Sequence, residues 1–192
     1  MTGRTHDLAA FTALGIVAVT YPVPHITLAS GLVAVVANLI GGIAPDIDQP
    51  TAPFWRNLPI GGYIGKTVDR LLGGHRFLSH SIIGMVIFGY GWYLLLHVLK
   101  PSFPDLNMDI IWWAFMIGFI SHLVMDSFTR EGVPWLLPIP AKFGIPPFKA
   151  LRISTNGIIE RFAVFPALFV YNAYFYYVHY GTVLNLLHNH LK

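Results

Sequence analysis

"GGHRFLSHSIIGMVIFGYGWYLLL", residues 73–96, sets two histidines and an arginine directly before sixteen residues without a formal charge. At about 1.5 Å per residue, a helix from Ser81 to Leu99 is long enough to cross a hydrocarbon core of about 30 Å. The rest of the chain has the same character. Of its 192 residues, 55% are hydrophobic, 15% aromatic and 11% charged, and the mean hydropathy is +0.59. Soluble domains carry about 25% charged residues, so the composition indicates an integral membrane protein, in one domain over residues 1–192. With no cysteine, disulfides are excluded and any metal site must use nitrogen and oxygen ligands.

Four further apolar stretches flank this one. Leu8 to Tyr21 has 14 residues, covers about two-thirds of a bilayer core, and is predicted to be a short or partly sunken span. Asp7 at its front, and the lack of a clear cleavage site after it, read as a retained helix rather than a signal peptide. His25 to Ala44, Ile110 to Met125 and Phe162 to Tyr180 complete an all-α bundle of about five transmembrane helices. Pro22 to Pro24 and Lys100 to Asp109 are short connections, and Pro45 to His80 and Ser127 to Arg161 are long ones. Within the long ones, "YIGKTVDRLL" places Ile64, Val68, Leu71 and Leu72 near one helical face, and "PWLLPIPAKFGIPPF" suits the headgroup level.

Five crossings put both long connections on the N-terminal side. That side holds Arg4, Arg56, Lys66, Arg70, Arg76, Arg130, Lys142, Lys149, Arg152 and Arg161, against Lys100 and Lys192 opposite. Such a bias predicts a cytoplasmic N-terminus. The net charge of +3 comes without basic runs, so membrane lipids, not nucleic acid, are the expected partners.

The same threading collects the ionisable residues at the cytoplasmic helix ends. His6 precedes the first span, Asp46 and Asp48 end the second, and His75, Arg76 and His80 open the third. His122 and Asp126 close the fourth, and Glu160 opens the fifth. His122 and Asp126, four apart, share one helix face about one turn apart. Asp46 and Asp48, two apart after a proline, point the same way if extended, and a cation between them would relieve their repulsion. Imidazole and carboxylate together suit Zn²⁺ first, with Mn²⁺ or Fe²⁺ as options, as one or two ions. Single motifs of this kind often only end a helix; their coincidence on one side favours a metal centre. His25, His97, His179, His188 and His190 read as caps or interface residues. Glu160 can serve as a ligand, as a general base beside Asp46 or Asp48, or simply as an acid at a helix N-terminus. Arg76 and Arg152 suit a phosphate or lipid headgroups.

"THDL", "PDIDQP", "HRFLSHS" and "GFISHLVMDSFTREGVPWLLP", in that order, resemble the YdjM-type family of inner-membrane proteins, described as membrane-bound metal-dependent hydrolases. The likeness runs from about His6 to Glu160. Carried over, its pattern points to Asp46, Asp48, His75, Arg76, His80, His122 and Asp126. The chain departs from it at Phe77, where glycine is usual, and at Gln49, where histidine is frequent. The His-x-x-x-Asp helix is also distantly similar to that of zinc-dependent phospholipases C and single-strand nucleases. Placement at the helix ends and resemblance together lead to the expectation of a hydrolase with metal ligands Asp46, Asp48, His80, His122 and Asp126, joined by His75 and His6. Its catalytic groups would be Asp48, Arg76 and Glu160, and its substrate a phosphoester or lipid-linked molecule at the cytoplasmic face. An ion transporter is the alternative, as is a non-catalytic protein that keeps a metal for folding. The first needs ionisable groups through the membrane's depth, which "IIWWAFMIGFI" lacks, and the second a closed coordination shell.

Overall fold

A computed structural model describes residues 1–21, 26–139 and 141–188. The predicted turn prolines Pro22 and Pro24, together with His25, His190 and Lys192, lie outside them. Helices α1 (Gly3–Thr20), α2 (Leu28–Ile43), α5 (Ile82–Leu99), α6 (Met108–Ser127) and α7 (Phe165–Val178) account for the five apolar stretches. Short helices α3 (Pro53–Arg56) and α4 (Gly61–Leu71) fill the first long connection, and α8 (Tyr180–His188) follows α7. Among the described residues there is no strand, only isolated bridges pairing Thr129 with Ile153 and Val133 with Phe143.

Three helical segments are long and apolar enough to cross a membrane: Leu28–Asp48, Ile82–Ser102 and Met108–Ser127. The other two helices are diluted by polar residues. α1 begins five residues earlier than its apolar run and takes in Arg4, His6 and Asp7, so His6 lies inside the helix rather than before it. α7 is preceded by a π-helical turn, Glu160–Val164, that carries Glu160 and Arg161.

α6 is the central helix. Ile111, Phe115, Phe119 and Leu123 on it are almost wholly buried, with Ala37 of α2, Leu96 of α5 and Val133 completing the core. α2 approaches α6 at backbone distance, because lipid offers no hydrophobic gain and close packing must hold the pair. Ala34, Ala37, Asn38, Gly41 and Gly42 form the contact face. A Cβ on Gly41 would strike the Phe115 carbonyl, and one on Gly118 the Asn38 carbonyl. Asn38, fully buried, donates from Nδ2 to the Ala114 carbonyl at 3.0 Å. This seam fixes the register between the two helices whose ends carry Asp46, Asp48, His122 and Asp126.

The predicted interfacial helix is α4, with Tyr63, Ile64 and Leu71 exposed. The second long connection leaves Leu136, Ile139, Phe143, Ile145 and Phe148 exposed, as a segment at the headgroup level would. It also folds back on the bundle: Ile82 N donates to the Trp135 carbonyl at 3.1 Å, and Trp135 Nε1 to Ser127 Oγ at 3.0 Å.

Candidate metal centre

Four local structures deliver the polar side chains to one end of the bundle. The first turns of α1 carry His6, and the last turns of α6 carry His122 and Asp126. α2 runs on into a 3-10 turn, Ala44–Asp48, started by Pro45, which tightens the chain so that Asp46 and Asp48 turn inward. His80 ends a second 3-10 turn, Leu78–His80, just before Ser81 caps α5 by accepting from Gly84 N at 3.0 Å. The loop before it reverses through Gly73 and Gly74, whose φ values of 81° and 97° suit glycine, and through Arg76 at φ 58°. For a residue with a side chain that left-handed conformation costs about 1–2 kcal/mol, so something must hold it.

At the meeting point, the Nε2 atoms of His80 and His122 each stand between two carboxylates. His80 Nε2 lies 3.7 Å from Asp46 Oδ1 and 3.6 Å from Asp126 Oδ2; for His122 Nε2 the distances are 3.6 and 3.7 Å. Atoms bound tetrahedrally to one ion at about 2.0–2.2 Å are about 3.3–3.6 Å apart, so each of these imidazole nitrogens stands near ligand-to-ligand spacing from both acids. His6 stacks on His122 with ring centroids 3.7 Å apart, and its Nε2 is 3.2 Å from Asp126 Oδ1. The Nε2 atoms of all three histidines are buried and make no hydrogen bond within the chain. Orphaned buried groups are rare unless an ion or water meets them. The donor set and its spacing therefore fit a divalent cation.

The Nδ1 atoms of His122 and His80 are engaged, whereas that of His6 is not. His122 Nδ1 is 2.6 Å from the Gly42 carbonyl, which can only accept, so the proton sits on Nδ1 and the Nε2 lone pair faces the cluster. His80 Nδ1 meets Ser79 Oγ at 2.9 Å and Asp48 Oδ2 at 3.4 Å. Burial opposes charge on His80, but Asp126 and Asp48 outweigh it and hold its pKa above the ordinary value.

Asp48, fully buried, is the organiser of the 75–80 loop. Its Oδ1 is 2.8 Å from His75 Nδ1, while Oδ2 accepts from Arg76 N at 2.9 Å and from Ser79 Oγ at 2.5 Å. These bonds hold the left-handed turn at Arg76. Asp46, Asp48 and His75 form a second group with ligand-type spacing, on the outer side of the first, where His75 is about a third exposed.

The Arg76 guanidinium, nearly buried, bonds Asp126 Oδ2 at 2.6 Å and Thr129 Oγ1 at 2.7 Å. Its Nε, 3.6 Å from Glu131, makes no hydrogen bond. The Met1 amine also bonds Asp126. Arg152 stands elsewhere, on the Pro146 and Pro147 carbonyls.

Glu160 is not brought into this cluster. Oε1 accepts from Thr2 N at 2.6 Å, Thr2 Oγ1 at 2.8 Å and Thr5 Oγ1 at 2.7 Å, and Oε2 accepts from Asn156 N at 2.6 Å. Burial raises its pKa, but these donors prevail and hold it below the ordinary carboxylate range. It clasps the N-terminus of α1 to the start of α7. His97 and His179 also stand apart, packed on Tyr93 and Phe175. Two contributors escaped the sequence reading. Ser79, inside "HRFLSHS", was visible as a hydroxyl beside His80; Thr129, after the helix end, carries no signal at all.

The family model of the YdjM inner membrane protein matches residues 1–186. The uncharacterized protein YvsG of Bacillus subtilis (strain 168) is 26% identical over 178 residues, covering 93% of this chain and 96% of the relative. The inner membrane protein YdjM of Escherichia coli (strain K12) is 29% identical over 132 residues, covering 69% of this chain and 61% of the relative, and the Shigella flexneri protein of the same name matches equally. No solved structure matches.

Proposed function

The chain belongs to the YdjM family of inner membrane proteins, and from that premise we propose that it is a membrane-bound metal-dependent hydrolase acting on a phosphoester, in the first instance a lipid-linked one. In this reading α1 and α7 also cross, giving five spans, and the charge bias puts the polar cluster at the cytoplasmic face. One observation carries the proposal: the unpaired Nε2 atoms of His80 and His122 lie 3.6–3.7 Å from both Asp46 and Asp126, with that of His6 3.2 Å from Asp126.

His80, His122, Asp46 and Asp126 would hold the ion, Zn²⁺ being the best match, with His6 against them and the outer group of Asp48 and His75 available to a second. A bound divalent cation supplies Lewis acidity and makes water more acidic. The chain's own residues do the rest. Asp48 orients His80 and shapes the loop. Asp46, about a fifth exposed, is the cluster acid that water and substrate reach, and it accepts the proton of the attacking water. Arg76 directs its unpaired Nε toward a developing phosphoryl charge while its other nitrogens fix Asp126 and Thr129. A transport path would need ionisable groups deeper in the bundle, where the buried polar residues Thr12, Asn38 and Asn172 are neutral.

The test is turnover of a panel of soluble phosphoesters and phospholipids by purified protein. Hydrolysis that chelation abolishes, a divalent ion restores and Asp46→Asn eliminates is expected; turnover indifferent to chelation, or none on any ester by metal-loaded protein, would refute the reading.

A further inference from the structure

Beside the polar cluster, between the end of α6 and the start of α7, lies a shallow apolar groove of about 470 Å³. That is within the about 300–1,000 Å³ typical of small-molecule sites. Met125 and Phe128 form one wall, Val164 and Leu168 the other, and Ile153 closes the end from the second long connection.

Three features distinguish the groove from ordinary lipid-facing surface. It adjoins the polar cluster, since Met1 lines the groove while its amine bonds Asp126. Its walls are built rather than incidental: Ile153 is fixed by backbone bonds to Phe128 and Arg130, at 3.0 Å each. Exposed cations flank the lining residues. Arg130 is tied to Ile153 through that bond, and Arg161 lies three residues before Val164, its Nε on Asn156 Oδ1 at 2.9 Å. Apolar walls in the helical layer with flanking cations match the two parts of a phospholipid, the acyl chain and the phosphate.

We propose that this groove seats one acyl chain of a glycerophospholipid, so that the attached phosphate lies between Arg130, Arg161 and the polar cluster. The proposal rests on the metallohydrolase reading for what happens to the phosphate, but not for the seat itself. It makes chain length a determinant of binding, because each buried methylene contributes about 0.8 kcal/mol.

The probe is phosphatidic acid carrying a mid-chain diazirine, in vesicles of phosphatidylethanolamine and phosphatidylglycerol, photolysed with the wild-type protein and with Ala167→Trp, which fills the groove. Labelling centred on Met125, Phe128, Ile153, Val164 and Leu168 is expected. In Ala167→Trp with wild-type metal content it should fall about tenfold, the effect of excluding roughly two methylenes. Labelling spread equally over α5 and the far faces of α6, or undiminished in such a variant, overturns the proposal. Should Ala167→Trp fail to fold, the wild-type labelling pattern decides by itself. Focused labelling without hydrolysis of any ester would keep the seat and remove the catalytic reading; soluble-ester turnover with diffuse labelling would do the reverse.

Discussion

Asp126 and Glu160 are both almost wholly buried at the same end of the bundle, and chemically they are opposites. Each Glu160 oxygen is met by N–H or O–H donors from Thr2, Thr5 and Asn156, so its charge is satisfied within the chain. Asp126 sits among His6, His80 and His122, whose Nε2 atoms are left without hydrogen bonds, and draws neutralisation from Arg76 and the Met1 amine. A buried acid is thus not by itself a sign of chemistry. What separates the two is whether the neighbours are satisfied donors or unsatisfied ligands.

The contrast should show most strongly in metal affinity. His122→Ala removes a ligand nitrogen and is expected to weaken binding by more than the about 10–100-fold typical of losing an outer partner, as measured by competition with a chromophoric chelator. Asp48→Asn comes next. It spares His80, His122, Asp46 and Asp126 but frees the His75–His80 loop, and a loss of about 10–100-fold is expected by the same titration; affinity equal to wild type would mean that the loop holds its shape without this acid.

Glu160→Gln should move the other quantity. Metal affinity stays within about tenfold, since only His6 is reached through α1, while the junction of α1 and α7 weakens by about 1–3 kcal/mol as hydrogen bonds to a charged acceptor are lost. Faster limited proteolysis near Thr2 reads this. A loss of metal as large as that of His122→Ala would erase the distinction between the two acids. The smallest effect is on pH. Because the folded pKa of Glu160 is depressed, its stabilisation is fully present above the unfolded value of about 4.3 and is lost as pH falls through the lower folded one. Proteolysis at this junction should accordingly be flat from pH 8 to about 5 and rise only below about 4; a rise near neutrality would contradict the assignment.

Much of this was legible in the chain because helical periodicity and apolar length are local properties. The spacing of His122 and Asp126 fixed their common face, and the empty centres of α5 and α6 confined polar chemistry to one end, whereas the extended backbone considered for Asp46 and Asp48 is a 3-10 turn that parts their roles. The count of crossing helices was less legible, since Arg4, His6 and Asp7 are part of α1, and Glu160 and Arg161 open the turn before α7. Roles within the cluster were not legible at all. Whether Asp48 faces an ion or a loop depends on the left-handed turn at Arg76, and whether Glu160 is a base or a clasp depends on Thr2 and Thr5, some 155 residues away in sequence. Sequence spacing does not encode such distances.

The most direct test is elemental analysis of the protein purified from membranes without added metal. The account predicts at least about one equivalent of a divalent transition metal in the wild type, with zinc the leading candidate, and its loss in His122→Ala that remains folded. Wild-type protein with no more metal than that variant would contradict it.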